Sequence, residues 1–113
     1  MKEFMMIFIG GDYENSGMSP EDFQRRMNLW NQWVEALRQQ NLYIEGRALK
    51  NQTTHVTSSD NVTTDGAFVE TKELVTGYFL LQANDLEHAK SLTQGYPDYD
   101  LGGKVEIREI QNF

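Results

Sequence analysis

Asp65, Glu70, Lys72 and Arg47 are the residues of this 113-residue chain whose types and spacing could move or hold a proton on a small molecule. A carboxylate kept near a cation in a partly dry pocket can accept a hydrogen bond or act as a general base. On that reading Asp65 is the acceptor or base, and Arg47 and Lys72 steady negative charge on a ligand. Glu70 stands beside Lys72 on one side of an extended stretch, with Thr71 and Glu73 on the other. Phe68 and Tyr78 supply apolar walls. The same residues also read without chemistry. Asp65-Gly66 is a common turn dipeptide, a run of mixed charge is ordinarily a solvated edge, and Arg47 can close a salt bridge with Asp65 or Glu70.

Other chemistries find less support. The chain has no cysteine, so thiolate ligands, cysteine nucleophiles and internal disulfides are out, and the composition fits a reducing, cytoplasmic setting. His55 and His88 have no partners at metal-ligand spacing and read as surface histidines; neither a metal nor a cofactor is expected. Residues 11–20 contain glycines but no phosphate-cradle lysine. Trp30 and Trp33, at helical spacing, read as core. A net charge of −7 with no basic stripe would repel a phosphate backbone, which excludes nucleic acid as a direct partner. No apolar run approaches the roughly 18 residues of a membrane span, and the N-terminal run carries no cleavage-like stretch.

The elements that must position these residues follow from periodicity. "KEFMMIFI", residues 2–9, is an apolar run of strand length closed by Gly10 and Gly11. Ser19, Pro20, Glu21 and Asp22 give an N-cap hydroxyl, a proline at the first helical position and acids in the first turn. The helix that follows has Phe23, Met27, Trp30, Val34 and Leu37 on one stripe, widened by Leu29, Trp33 and Ala36, and runs to about Asn41. "LYIEGRAL", residues 42–49, is a strand whose central glycine suggests a bulge or a close backbone approach. A Thr-rich hairpin over 53–65 turns at Ser59-Asp60-Asn61. "LVTGYFLLQA", residues 74–83, is the strongest strand. Asn84 and Glu87 offer a capping box for a second helix through Gln94, with Leu86, Ala89 and Leu92 as its apolar face. "KVEIREI" alternates as a half-exposed strand does.

Strand, helix, strand, hairpin, strand, helix, strand is the order of a ferredoxin-like βαββαβ sandwich with an inserted hairpin, an α+β fold in one domain over 1–113. Two helices cover one face of its sheet. Tyr78 and Leu80 nevertheless point one way while Phe79 and Leu81 point the other, so both faces are apolar. At about 25 cal/mol per Å² of apolar area, leaving the second face wet forgoes several kcal/mol, and a homodimer with sheets stacked face to face is expected.

"VTTDGAFVETKELVTGYFLLQANDLEHAKSL", residues 62–92, with "EGRAL" before it and "GGKVEIREI" after it, resembles the DGPF branch of the YCII-related family. The likeness extends to "MKEFMMIF" and "SPEDFQRRMNLWNQWVEAL". It implies a dimeric α+β barrel, the pairing already expected from two-faced strands. Asp65-Gly66-Ala67-Phe68 stands where that branch has Asp-Gly-Pro-Phe, and Leu29 and Trp30 stand near the place where better-known family members carry a helix histidine paired with an aspartate. Two functions follow as expectations. One is a cofactor-independent homodimer that binds or transforms a small organic molecule. The other, implied by the resemblance, is a non-catalytic partner of an alternative sigma factor of the extracytoplasmic-function type, without DNA contact.

Overall fold

A computed structural model describes residues 1–60, 63–65 and 73–113; for 63–65 it describes the backbone. Strand β1 (Lys2–Ile9) leads through a loop to helix α1 (Pro20–Gln39), then to strand β2 (Tyr43–Ala48). Strands β3 (Thr54–Val56) and β4 (Thr63–Asp65) form the inserted hairpin, and β5 (Val75–Ala83) follows. Helix α2 (Leu86–Ser91), two 3₁₀ turns (Leu92–Gly95 and Tyr99–Leu101) and strand β6 (Lys104–Glu109) complete the chain. Among the described residues no helix is long and apolar enough to cross a membrane.

The main sheet runs β2-β5-β1-β6 with every neighbouring pair antiparallel, and β3-β4 makes a separate two-stranded sheet. This order is compatible with a ferredoxin-like sandwich once the hairpin is set aside. The hairpin pairs Thr54 with Asp65 and Val56 with Thr63, which leaves Ser59 and Asp60 in its loop; Asn61 lies outside the described residues.

Burial alternates along both central strands. Phe4, Met6 and Phe8 of β1, with Phe79, Leu81 and Ala83 of β5, are buried beneath the helices. Met5, Ile7 and Ile9, with Tyr78 and Leu80, are half-buried on the opposite, outer face. The core is an aromatic cluster in which Phe8 stacks on Tyr96 with centroids 5.3 Å apart and meets Trp30 edge-on at 5.0 Å. Phe79 packs against Trp33 at 4.8 Å and against Tyr43 at 5.2 Å. The glycine read in the middle of the second strand sits at a close approach: a Cβ on Gly46 would stand 2.5 Å from the Phe79 ring. On the neighbouring strand, a Cβ on Gly77 would stand 2.7 Å from the Arg47 carbonyl oxygen.

Helix α1 begins as its sequence dictates. The Ser19 hydroxyl accepts from the Asp22 amide at 3.1 Å and Pro20 takes the first turn, where no intrahelical donor is needed. Its buried face differs from the expected stripe, because Trp33, Leu37 and the charged Arg26 are buried while Phe23 is 45% exposed. Helix α2 departs further. Its N-cap is Asp85 rather than Asn84: the Asp85 carboxylate accepts from the His88 amide at 2.8 Å, and the His88 ring nitrogen accepts from the Asn84 amide at 2.9 Å. The expected box of Asn84 and Glu87 does not form: Asp85 caps His88, and the His88 ring returns to the amide of Asn84, the residue before the cap. The α-helix stops at Ser91 and tightens into a 3₁₀ turn, since the Leu92 carbonyl is taken by the Trp33 indole N–H at 2.9 Å and Gly95 lies against the same ring.

Candidate functional site

A cavity of about 460 Å³ opens between α1, the helix-facing side of the sheet and the loop that joins β1 to α1. Its walls are mostly apolar: Phe8 and Phe79 come from the sheet, and Phe23, Met27, Trp30 and Val34 from successive turns of α1. The α1 spacing that the sequence displays is therefore divided between core and cavity. Trp33 is buried, and Trp30 packs on Phe8 while also facing the open space.

The polar end of the cavity is built by three segments distant in sequence. The chain turns at Gly10 and Gly11, both with positive φ, and delivers Asp12 and Tyr13. Asp12 is 8% exposed. It accepts from the Glu14 amide at 2.9 Å, from Asn15 Nδ2 at 2.8 Å and from Asn51 Nδ2 at 2.8 Å. Burial would raise its pKa, but the bonds from Asn51, Asn15 and the local amides outweigh burial and hold the carboxyl below its ordinary range. Asp12 is ionised at neutral pH.

Tyr13 connects this loop to the other side of the cavity. Its hydroxyl accepts from the Trp30 indole N–H at 2.9 Å and lies 2.9 Å from both carboxylate oxygens of Asp98, to which it donates. Burial pushes the Tyr13 hydroxyl well above the usual phenol range, so it keeps its proton. Asp98, 3% exposed, is also lifted above the ordinary carboxylate range by burial, while the bonds from Tyr13 and Arg26 offset part of the rise. Arg26, likewise 3% exposed, lies behind it. Its guanidinium donates to Asp98 at 3.1 Å, to both oxygens of Asp100 at 2.9 Å, to Asp22 at 3.1 Å and to the Pro97 carbonyl at 3.3 Å.

The arrangement is rich in acceptors and holds its protons in place. Asp12 and Asp98 line the cavity, Asn51 adds an amide, and Tyr13 is engaged on both sides. A ligand that donates hydrogen bonds from an apolar body matches these surfaces. Among the described residues no group of three His, Asp or Glu side chains could hold a metal ion.

The residues singled out from sequence are distributed unevenly. Arg47 contributes to the cavity rim, but its side chain is exposed; the guanidinium donates to the Gly46 carbonyl at 2.7 Å and lies 3.9 Å from a Glu45 oxygen. Tyr78 is the cross-strand neighbour of Arg47 and alternates with Phe79, which places it on the outer face of the sheet and not among the lining residues. Asp65 pairs with Thr54 through its backbone, and its side chain lies outside the described residues. Phe68, Glu70 and Lys72 also lie outside them.

Asp12, Arg26 and Asp98 were not visible as site residues in the sequence. One signal was present. Arg26 falls on the face shared by Asp22, Trp30 and Trp33, so a cation stands inside an apolar helical stripe, and "YPDYD" gathers two acids between tyrosines immediately after a helix end.

Residues 21–113 match the family model described as the YCII-related domain. No curated protein matches the chain.

Proposed function

The chain belongs to the YCII-related domain family, and from that premise we propose that it binds or transforms a small organic molecule in the cavity between α1 and the sheet, as a homodimer and without a cofactor. The observation that carries this reading is the cavity itself, about 460 Å³ with aromatic walls and one polar end. Pockets of this size and character bury most of a small ligand's surface. Asp65 as acceptor or base, with Phe68, Glu70 and Lys72 beside it, belongs to the same proposal; its support is the resemblance of 62–92 to the family's DGPF branch. Crystals soaked with a set of small carbonyl, carboxylate and amine compounds are expected to show density in the cavity. A saturating set that leaves it empty rejects the proposal.

The homodimer rests on the outer face. Met5, Ile7, Ile9, Tyr78 and Leu80 form a half-buried apolar band down the two central strands. Charged residues flank it: Glu45 and Arg47 on the β2 edge, and Lys104, Glu106 and Arg108 on the β6 edge. A second copy related by a two-fold axis would cover the band and set charges of both signs against one another. Light scattering at micromolar concentration should give the mass of two chains, and Ile7→Asp should give the mass of one. A monomeric wild type refutes the dimer.

The net charge of −7 also suits a basic protein partner, such as the sigma factor implied by the family resemblance. Recovery of such a factor from native extract on the purified protein, with no metabolite retained in the cavity by native mass spectrometry, would favour this regulatory reading.

A further inference from the structure

We propose that the cavity selects a small organic cation: an ammonium group carried on an aromatic or aliphatic body. The proposal rests on the cavity being a ligand site and adds the charge of its ligand. It differs from the anionic ligand that Arg47 and Lys72 suggest in sequence.

Two independent features support it. The first is charge. Among the described lining residues the ionisable groups of ordinary acid or base type are Asp12, Glu14 and Asp98 against Arg47. The Arg47 side chain shares the outer face with Tyr78 and already donates to the Gly46 carbonyl beside Glu45. The cation nearest the polar end, Arg26, is already paired with Asp22, Asp98 and Asp100. An anion entering this end would meet carboxylates whose available cation is spent. An ammonium would meet acceptors with room for a further donor: Asp98 Oδ2 accepts from Tyr13, and Asp12 Oδ2 from Asn15.

The second feature is the wall. Phe8, Trp30, Tyr43 and Phe79 all line the cavity, and their rings meet edge to face rather than in flat stacks: Phe8 on Trp30 at 71°, Trp30 on Phe79 at 78° and Tyr43 on Phe79 at 85°. Four aromatic rings line one space, and the negative face of an aromatic ring attracts a cation within about 6 Å. The ionised Asp12 at one end and aromatic rings on the sides are complementary to an ammonium and its apolar substituent together. A neutral ligand would use only the second.

Three probes of one shape separate charge from fit: benzylammonium, benzyl alcohol and benzoate, titrated against the full-length protein at pH 7 and low salt. Trp30 faces the cavity, so tryptophan emission reports occupancy. Benzylammonium is expected to bind about tenfold or more tighter than benzoate, a difference of about 1.4 kcal/mol, and tighter than the alcohol. Added salt should weaken the ammonium alone. Asp12→Asn should reduce that preference, and Glu14→Gln, at an exposed position, should reduce it in the same direction should the first variant fold poorly. Benzoate or benzyl alcohol binding as tightly as benzylammonium overturns the cation assignment and leaves the cavity reading standing. Failure of all three probes to bind overturns both.

Discussion

Arg26 donates to three carboxylates and a carbonyl from a position that is 3% exposed. A buried ion pair contributes little over a well-packed apolar pair, but removing one member leaves an uncompensated charge, which costs about 3–5 kcal/mol. Arg26→Met should therefore lower the unfolding free energy measured in urea by that amount. Adding Asp98→Asn should recover at least half, because the amide side chain is neutral and its oxygen still accepts from Tyr13. An unchanged unfolding free energy in the single variant would mean that the cluster does not hold the fold. Tyr13→Phe should cost less, about 1–3 kcal/mol, since it takes a partner from the Trp30 N–H and from Asp98. This cluster was the least legible part of the chain. Arginine on an amphipathic helix usually lays its stem along the apolar face and keeps its head in water, and nothing within reach of Arg26 along the sequence shows that Asp98, 72 positions away, will arrive beside it. Arg47 illustrates the reverse: its type drew notice, yet its side chain is solvated at a strand edge.

At the scale of elements, Gly46 and Gly77 were the informative residues. A glycine inside a strand pattern announces that something else occupies the space of its side chain, and both positions have such a neighbour. At Gly46 the neighbour is the Phe79 ring, and at Gly77 it is the backbone carbonyl of Arg47. Alanine at either site should destabilise by about 1–3 kcal/mol, with Gly77→Ala the costlier because a strand rather than a ring must move. Equal stability of Gly77→Ala and wild type in chemical denaturation would contradict the close packing of β2 on β5. The N-terminus of α1 was legible for the same kind of reason, since Ser19 and Pro20 act on their immediate neighbours. The end of α2 was not. It is decided by the Trp33 indole claiming the Leu92 carbonyl, a bond between segments 59 positions apart. The cavity was illegible too, because the α1 stripe signals burial without distinguishing a face packed on the sheet from one held a ligand's width away.

For the molecule as a whole, the order of elements along the chain and the two-faced character of β1 and β5 were legible, since period-2 alternation depends on the strand alone. Charge placement gives the fold a pH dependence of definite sign. Arg25 and Arg26 hold Asp22 below its ordinary pKa of 3.8, Arg26 does the same for Asp100, and the bonds from Asn51, Asn15 and nearby amides do so for Asp12. Groups lowered by folding stabilise above their unfolded pKa, and that stability is lost as pH falls through the folded values. Asp98 is raised by burial and acts oppositely, gaining stability as it protonates above 3.8. Thermal melts should therefore change little down to about pH 4 and fall steeply below it, and Asp100→Asn should reduce the fall. A melting temperature that keeps rising below that point would contradict the assignment.

Strand β1 lies between β5 and β6, and the loop after it meets Asp98 through Tyr13, 85 positions along the chain. During synthesis β1 therefore emerges before both of its neighbours and waits for them. Its first partner ends at Ala83 and its second at Glu109. "KEFMMIFI" is also among the most apolar stretches of the chain, so the segment with the greatest need of shelter is sheltered late, and a chaperone that grips nascent apolar strands has a natural client here.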